Sequence, residues 1–250
     1  MVGEFEWIDK DLVKSLSAKP SKKITGTRLA AILGKNPYNT PFSCWADMLH
    51  VYEKPFEDNK YTIAGKTIEP KQAQFMINQY GMTNLKTPTQ LFGEDYFNVT
   101  HGNFFSNEIF GGMWDYILVD KNNIPVSVLE MKTTKNRYQW KYEPPFYYTL
   151  QASLYAYLLN VDTVYLVVTY LNNSDYENPE NVILSLDNTE VFCFSMNRKF
   201  KNFKADYIDK ATEWWNTYIL TNTSPKITSS DKEIVEILEK KLYNSYKGGI

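Results

Sequence analysis

Asp115, Glu130 and Lys132 are the residues whose types and spacing could do chemistry together, and they lie in one predicted β-hairpin. A charged side chain in a buried strand costs several kcal/mol unless it is paired, neutralised or bound to a metal. We place the hairpin turn at residues 121–124, with pairing uninterrupted up to the turn. Asp115 then lies opposite Glu130, and Lys132 falls on the same face because side chains alternate along a strand. A shift of one residue in this register would separate the two carboxylates.

Such a patch is suited to a divalent cation. Mg²⁺ prefers hard oxygen ligands and needs only one or two protein carboxylates, and the main-chain carbonyl of Met131 is a further oxygen ligand; Mn²⁺ is an expected substitute. Lys132 beside the ion would orient or help to deprotonate an attacking water and offset charge on phosphorus. The spacing alone is common, and E-x-K on an exposed strand is ordinary. Apolar neighbours such as Val128 and Leu129 favour the functional interpretation, because they indicate a covered strand.

The composition narrows the class of protein. The chain has 250 residues, of which 43% are hydrophobic and 22% charged, and its net charge is −2. Without a global positive field, contacts to nucleic acid need local basic patches. Two distant cysteines, Cys44 and Cys193, exclude a four-thiolate metal centre and indicate a reducing compartment. The N-terminus shows no signal peptide, and no apolar run approaches the ~18 residues of a membrane span. We therefore expect a cytoplasmic protein with no membrane association.

The predicted elements give an α/β fold with a mixed central sheet flanked by helices in a single domain, residues 1–250. Strands rich in apolar residues on both faces indicate a sheet covered on both sides. Pro70 must lie in the first turn of its helix or kink it. In chain order we predict helices at 25–34, 40–53 and 64–81, strands at 111–120 and 125–134, a helix at 144–160, strands at 163–171, 181–186 and 189–196, and helices at about 198–220 and 230–243.

Five segments in order resemble the signatures of the YqaJ-type viral recombinases, the lambda exonuclease-like family of the PD-(D/E)XK nucleases. Each is weak alone, but their order and spacing are specific. The resemblance covers about residues 20–170 and leaves a C-terminal helical extension, about 197–250, outside it. The segments are ITGTRLAAILGKNPYNTP (24–41), GKTIEP (65–70), MWDY (113–116), LEMKTT (129–134), and Trp140 with PPFYYTLQ (144–151).

The resemblance implies a PD-(D/E)XK core and a role for each matching residue. Asp115 and Glu130 match the metal ligands and Lys132 the catalytic lysine. Glu69 matches the helix glutamate that completes the acidic cluster, close to the metal or bound to it through water. Gln151 matches the helix glutamine that lies against the catalytic centre. Apart from the family, Glu69 reads as a solvated helix residue and Gln151 as a polar break in an apolar helix face.

The resemblance also implies a site for the 5′-phosphate. Thr27 falls where the family has a serine that holds this phosphate, and the N-terminus of a helix is an anion site. Arg28, just inside the helix, points either towards the phosphate or away from it. The arginine that helps to grip the phosphate in the family is replaced here by Pro20, with lysines nearby.

Basic and aromatic residues alternate in KTTKNRYQWK (132–141), directly after the proposed catalytic lysine. Lys135 and Arg137 are candidates for contacts to the DNA backbone, and Tyr138 and Trp140 for stacking on bases. A solvated basic face is the alternative for each of the chain's basic runs, and this one is favoured for DNA because it flanks the site.

By resemblance, the chain is a Mg²⁺-dependent exonuclease that degrades double-stranded DNA ends 5′→3′ in phage-type recombination by single-strand annealing. Its expected partners are double-stranded DNA ends, a single-strand annealing protein and further copies of the chain in a trimeric ring, in the host cytoplasm if phage-encoded. One alternative is an endonuclease of the same fold, of restriction or junction-resolving type. The other is a catalytically silent DNA-end-binding or interaction module, which four such ionisable groups disfavour.

Overall fold

The computed structural model describes residues 1–55, 57–96 and 107–247. Three-residue to five-residue turns of 3₁₀ or π geometry supplement the helices, and two of the π type flank α8 at Lys204–Ile208 and Trp215–Ile219. The strands are β1 (Phe5–Trp7), β2 (Val13–Ser15), β3 (Leu85–Lys86), β4 (Tyr116–Val119), β5 (Pro125–Thr134), β6 (Thr163–Tyr170) and β7 (Thr189–Ser195). The helices are α1 (Gly26–Ile32), α2 (Pro41–Met48), α3 (Lys60–Tyr80), α4 (Pro88–Phe92), α5 (Phe146–Leu159), α6 (Asn173–Glu177), α7 (Met196–Lys199), α8 (Asp209–Trp214) and α9 (Lys232–Lys247).

The chain divides into two compact units, the first formed by Met1–Phe56 with Phe203–Ile250 and the second by Glu57–Asn202. The first unit contains the antiparallel pair β1–β2 together with α1, α2, α8 and α9. Its helix α2 begins where the sequence predicts, because the Thr40 side chain accepts the Ser43 N–H and Pro41 occupies the first turn. None of the described helices is long and apolar enough to cross a membrane.

The second unit contains the mixed sheet that the sequence predicts. Within the described residues its strand order is β3-β4-β5-β6-β7; β5 and β6 are parallel, and the other three pairs are antiparallel. Helices α3 and α5 both contact β5. Leu129 and Met131 pack with α3, whereas Glu130 hydrogen-bonds to Gln151 of α5. Since adjacent residues of a strand face opposite sides, α3 and α5 cover opposite faces of the sheet.

The register of the hairpin β4–β5 confirms the predicted pairing next to the candidate site. Tyr116 pairs with Leu129, so one further step along each strand sets Asp115 opposite Glu130. The predicted pairing is wrong close to the turn, where the register shifts and Val119 rather than Asp120 lies opposite Pro125. This irregularity lies at the far end of β4 from Asp115 and leaves the carboxylates on one face.

Helix α3 begins earlier than predicted, at Lys60, because the Asn59 side chain accepts the N–H groups of Tyr61 and Thr62. Pro70 consequently lies in the helix interior, not in its first turn. Proline has no N–H, so the carbonyl of Lys66 receives no bond from residue 70.

The predicted strand at 181–186 is wrong. Residues 179–181 form a 3₁₀ turn, and no strand is assigned to the described residues from there to Asn188. The Lys71 ammonium donates to the carbonyl oxygens of Pro179, Glu180 and Val182 at 3.1, 2.6 and 2.9 Å. A side chain from α3 therefore supplies hydrogen bonds to main-chain carbonyls of this segment.

Candidate functional site

The residues of the candidate site lie on or next to four elements of the second unit. Glu130 and Lys132 lie on β5, Asp115 immediately precedes β4, Glu69 lies on α3 and Gln151 on α5. The parallel pairing of β5 with β6 keeps β5 inside the sheet, where its side chains are covered on both faces.

The two carboxylate oxygens of Glu130 have different surroundings. Its side chain is 1% exposed, and Oε1 accepts hydrogen bonds from the Lys132 ammonium and from the Gln151 amide, each at 2.5 Å. Oε2 is buried and has no hydrogen-bond partner among the described residues. Burial and the charge of Asp115 raise the pKa of Glu130 to about 8, although Lys132 opposes the rise.

Next to the first residue of β4, the side chain of Asp115 bonds to the main chain of β5. Its Oδ2 accepts the main-chain N–H of Met131 at 2.6 Å. The N–H and C=O of one residue point to the same edge of a strand, so the Met131 carbonyl faces the same edge as Asp115. Burial raises the pKa of Asp115, while Lys132 and the hydrogen bond from Met131 lower it.

Glu69 is half-buried and brings a third carboxylate into electrostatic reach of this group. Burial and the charge of Asp115 raise the pKa of Glu69 to about 7, and Lys132 lowers it. Three acidic groups thus share one ammonium, which leaves the cluster with an excess of negative charge whenever they are ionised.

Lys132 is held on two sides. Its Nζ lies 2.5 Å from Glu130 and 5.3 Å from the centroid of the Tyr148 ring. Burial lowers the pKa of Lys132, but the charges of Glu130 and Asp115 outweigh this and leave it above its ordinary value. The Tyr148 ring itself stacks on Trp140 at 5.5 Å between centroids.

The base-stacking interpretation is wrong for Trp140. Its side chain is 1% exposed and packs against Tyr148 and Phe192, so the indole does not present a face to solvent. Tyr138, in the same 3₁₀ turn, is 81% exposed and keeps the property that stacking requires. Trp140 instead anchors the turn next to the ring under the Lys132 ammonium.

Lys135 is exposed but has partners within the second unit. Its ammonium lies 2.5 Å from Asn173 Oδ1 and about equally far from two aromatic rings, at 5.0 Å from the centroid of Tyr61 and 5.2 Å from that of Tyr176. These contacts hold the side chain at the surface of the unit, where its ammonium remains accessible to solvent.

Arg137 likewise has partners in its own unit. It donates to the Asp187 carbonyl at 2.9 Å, pairs with Glu190 at 3.3 Å and lies 4.5 Å from the centroid of Tyr170. Its guanidinium is more than half exposed, so the outer N–H groups are open to solvent.

Thr27 and Arg28 belong to the first unit, where both line a cavity of about 490 Å³. Thr27 is exposed in the first turn of α1. The guanidinium of Arg28 donates to the Lys23 carbonyl at 2.7 Å and to Asp47 at 2.9 Å. Thr27 is therefore open to a ligand, whereas Arg28 is already paired with a carboxylate.

A metal at the candidate site would need ligands beyond acidic side chains. In the described ranges, no group of three or more His, Cys, Asp or Glu side chains is arranged to hold a metal ion. Mg²⁺ typically takes one or two protein carboxylates and completes its shell with water and substrate oxygens. Asp115, the buried partnerless oxygen of Glu130 and the Met131 carbonyl fit this requirement, because a cation would satisfy an atom that the protein leaves without a bond.

Two residues of this region were not predicted from the sequence. Tyr148 lies three positions before Gln151 on α5, a helical spacing that could have signalled a shared face. Gln72 lies three positions after Glu69 on α3, and its side-chain amide reaches the main chain of β5. A glutamine beside the apolar positions 73, 75 and 76 is a signal of a polar residue on the buried face of this helix.

Comparisons with known proteins identify the family of this chain. The YqaJ-like viral recombinase domain family matches residues 18–162. The uncharacterized protein MG373 of Mycoplasma genitalium is 31% identical over 84% of this chain and 85% of its own length. Its homolog in Mycoplasma pneumoniae is 28% identical over 92% and 94% of the two chains.

Two solved structures share the fold at low identity. A phage-related exonuclease from Haemophilus somnus has a TM-score of 0.51 at 15% identity, over 80% of this chain and 96% of that one. An alkaline exonuclease from Laribacter hongkongensis has a TM-score of 0.52 at 14% identity, over 89% and 94%. The family match covers more than half of the sequence and includes every residue of the candidate site. The chain belongs to the YqaJ-like viral recombinase domain family.

Proposed function

We propose that this protein is a Mg²⁺-dependent exonuclease that degrades double-stranded DNA ends 5′→3′. One observation carries the proposal: Lys132 and Gln151 hold one oxygen of Glu130, while the other is buried and has no hydrogen-bond partner in the part of the chain that the structure describes. Asp115 lies opposite Glu130 on the neighbouring strand. A site that only stabilised the fold would gain from filling that bond. Family membership supports DNA as the substrate.

Asp115, Glu130 and the Met131 carbonyl would hold the ion, with Glu69 near it or bound through water, and Mn²⁺ is an expected substitute. Bound there, the metal would supply Lewis-acid activation of water and neutralisation of phosphate charge. Gln151 fixes the orientation of Glu130 through its hydrogen bond to Oε1. Because Glu130 and Tyr148 hold Lys132 as an ammonium, the lysine acts by stabilising negative charge as it grows on the phosphoryl oxygens.

The proposed biological role is end processing in phage-type homologous recombination. Degradation of 5′-ended strands leaves 3′ single strands for a single-strand annealing protein, and a homo-oligomeric ring would keep the enzyme on its substrate. Thr27 is the proposed contact to the 5′-phosphate, and the host cytoplasm is the proposed compartment. The two proteins of similar structure, a phage-related exonuclease and an alkaline exonuclease, are consistent with this role.

The test is incubation of the purified protein with three DNA substrates in Mg²⁺: a linear duplex with 5′-phosphates, the same duplex with 5′-hydroxyls, and a closed circle. We expect progressive loss of the 5′-phosphorylated strands of the linear duplex and an intact circle. Cutting of the circle would identify an endonuclease of the same fold. A folded protein that binds ends but cuts none of the substrates in Mg²⁺ or Mn²⁺ would be a silent binding module.

A further inference from the structure

Gln72 is a buried polar residue at the centre of the packing between α3 and the sheet. Its side chain is 1% exposed, and its amide nitrogen donates towards three oxygens. The distances are 2.9 Å to the Lys132 carbonyl, 3.2 Å to the Val167 carbonyl and 3.0 Å to Thr169 Oγ1. One side chain thus connects α3 with the main chain of both β5 and β6.

Apolar side chains surround Gln72, and packing among them does not by itself require an amide group. Ala73 and Met76 of α3 pack with Leu129 and Met131 of β5 in one buried cluster. An amide nitrogen carries two protons, and in an apolar core each must find an acceptor. The acceptors here are two main-chain carbonyls and one hydroxyl, all on β5 and β6. Gln72 can therefore make these bonds only at one position of α3 along the strands.

The position of α3 along the strands determines where Glu69 lies. Glu69 and Gln72 are three residues apart on α3 and share a face of the helix. Gln72 bonds to the main-chain carbonyl of Lys132. The side-chain ammonium of the same residue bonds to Glu130 in the candidate site. A contact at Gln72 is therefore transmitted over a single helical turn to the third carboxylate of the cluster.

The helix lacks one of its own hydrogen bonds at this point, because Pro70 lies between the two residues. Proline removes one bond of the helical ladder and disturbs the turn before it, which is the turn that carries Glu69. A tie to the sheet directly after the proline compensates for the missing bond.

We propose that Gln72 is a positioning residue for the candidate nuclease site, which fixes Glu69 relative to Asp115 and Glu130 through its hydrogen bonds to the Lys132 carbonyl and Thr169. This inference rests on the proposed nuclease function. Its competitor is a purely structural role, in which Gln72 stabilises the packing of α3 and has no effect on the chemistry.

The experiment compares Gln72→Met with the matched control Gln74→Met. Methionine keeps the length of the side chain and removes the amide. Gln74 is on the same helix but exposed, and its amide bonds to Asn78 at 2.8 Å. For both variants we would measure kcat and KM on a linear duplex, the Tm, and Mg²⁺ affinity by calorimetry without DNA.

For Gln72→Met we expect kcat and Mg²⁺ affinity each to fall by about 10–100-fold, as for other residues that orient metal ligands. The KM for DNA should stay within about twofold, because duplex affinity comes from many phosphate contacts. Gln74→Met should match the wild type throughout. Wild-type kcat and Mg²⁺ affinity in Gln72→Met, with a lowered Tm, would overturn the inference in favour of the structural role.

Thr169→Val provides a second test should Gln72→Met not fold, since it removes one acceptor and keeps the amide. We expect a smaller loss of kcat and Mg²⁺ affinity in Thr169→Val and recovery in Thr169→Ser; unchanged values in Thr169→Val would overturn the inference. The wild-type arm separates the two proposals. An active wild type with unaffected variants contradicts the role of Gln72 alone, whereas a wild type without nuclease activity or Mg²⁺ binding contradicts the proposed function and with it this inference.

Discussion

Each of the two units contains a cluster of charged side chains, and the two clusters are built in opposite ways. In the first unit, Lys22 lies 2.8 Å from Asp47 and 2.6 Å from Glu53, and Arg28 lies 2.9 Å from Asp47. In the second unit, three carboxylates share a single ammonium. The pKa of Glu53 is lowered to about 2, first of all by its hydrogen bond from Lys22, whereas burial raises the pKa of Glu130 to about 8.

The difference separates charges that stabilise the fold from charges that need a further cation. In the balanced cluster every carboxylate has a cation and partial access to water, so ionisation favours the folded state. In the unbalanced cluster ionisation is unfavourable until a cation arrives, which is the electrostatic condition of a site that binds a metal. The clusters should therefore respond with opposite signs to loss of charge.

The largest expected effect is on the unbalanced cluster. Lys132→Ala should lower the rate of DNA hydrolysis by ~10²–10³, because it removes a preorganised charge that acts in the transition state. The folded state should survive, since Glu130 can take up a proton where it loses its partner, and DNA binding should change little. A nuclease assay, a binding assay and a thermal melt on one preparation test this.

Lys66→Ala is the control, since Lys66 is exposed and pairs with Asp58 outside the site. A folded, fully active Lys132→Ala protein would remove the lysine from the mechanism. An unfolded one would mean that the pair with Glu130 is structural, a loss worth about 3–5 kcal/mol.

Thr27→Ala tests whether the first unit contributes more than stability. The hydroxyl is exposed on the 490 Å³ cavity and is the proposed contact to the 5′-phosphate. Loss of one hydrogen bond to a charged group costs about 1.5–3 kcal/mol, so cutting of 5′-phosphorylated ends should fall more than cutting of 5′-hydroxyl ends. If the cutting rate falls equally on the two substrates, Thr27 contributes only to the start of α1 and not to phosphate binding.

Removal of one acidic charge from each cluster compares them directly. Without divalent cations at pH 8, Glu69→Gln should raise the free energy of unfolding by about 1–2 kcal/mol, because it relieves a half-buried carboxylate beside Asp115. Glu53→Gln should lower it by about 1–2 kcal/mol, because Lys22 loses a partner at 2.6 Å. Urea unfolding measures both, and changes of the same sign would break the comparison.

The smallest expected effect is in the acid dependence of the first unit. The pKa of Glu53 is about 2 in the folded protein and near 4.5 in an ordinary environment. The stabilisation by Glu53 is therefore complete above about pH 4.5 and is lost as the pH falls towards 2. Between pH 6 and pH 3 the wild type should lose ~1 kcal/mol more of its free energy of unfolding than Glu53→Gln does. Parallel curves for the two proteins would show that the pair with Lys22 adds nothing.

Sequence patterns were sufficient where the structure is decided by neighbours along the chain. The alternation of apolar residues and the turn at 121–124 predicted the pairing of Tyr116 with Leu129, and with it the approach of Asp115 to Glu130. They failed at the bulge before Val119 and at the missing strand after Pro179. In the second case the carbonyls of the segment bond to Lys71, more than a hundred positions earlier in the chain.

The sequence by itself determined the α/β class, the order of the family's segments and the identity of the acidic residues and lysine at the candidate site. The α/β class follows from residue type and from periods of two or three to four positions, which any local stretch displays. The order of the segments and the choice of Glu69 follow from the resemblance to the family. Tertiary structure alone decided that Trp140 is buried, that the Lys135 ammonium lies near two aromatic rings, and that Gln72 bonds to β5 and β6. Each of these depends on which distant segment lies opposite a side chain, and burial and hydrogen bonding are properties of that pairing rather than of the residue.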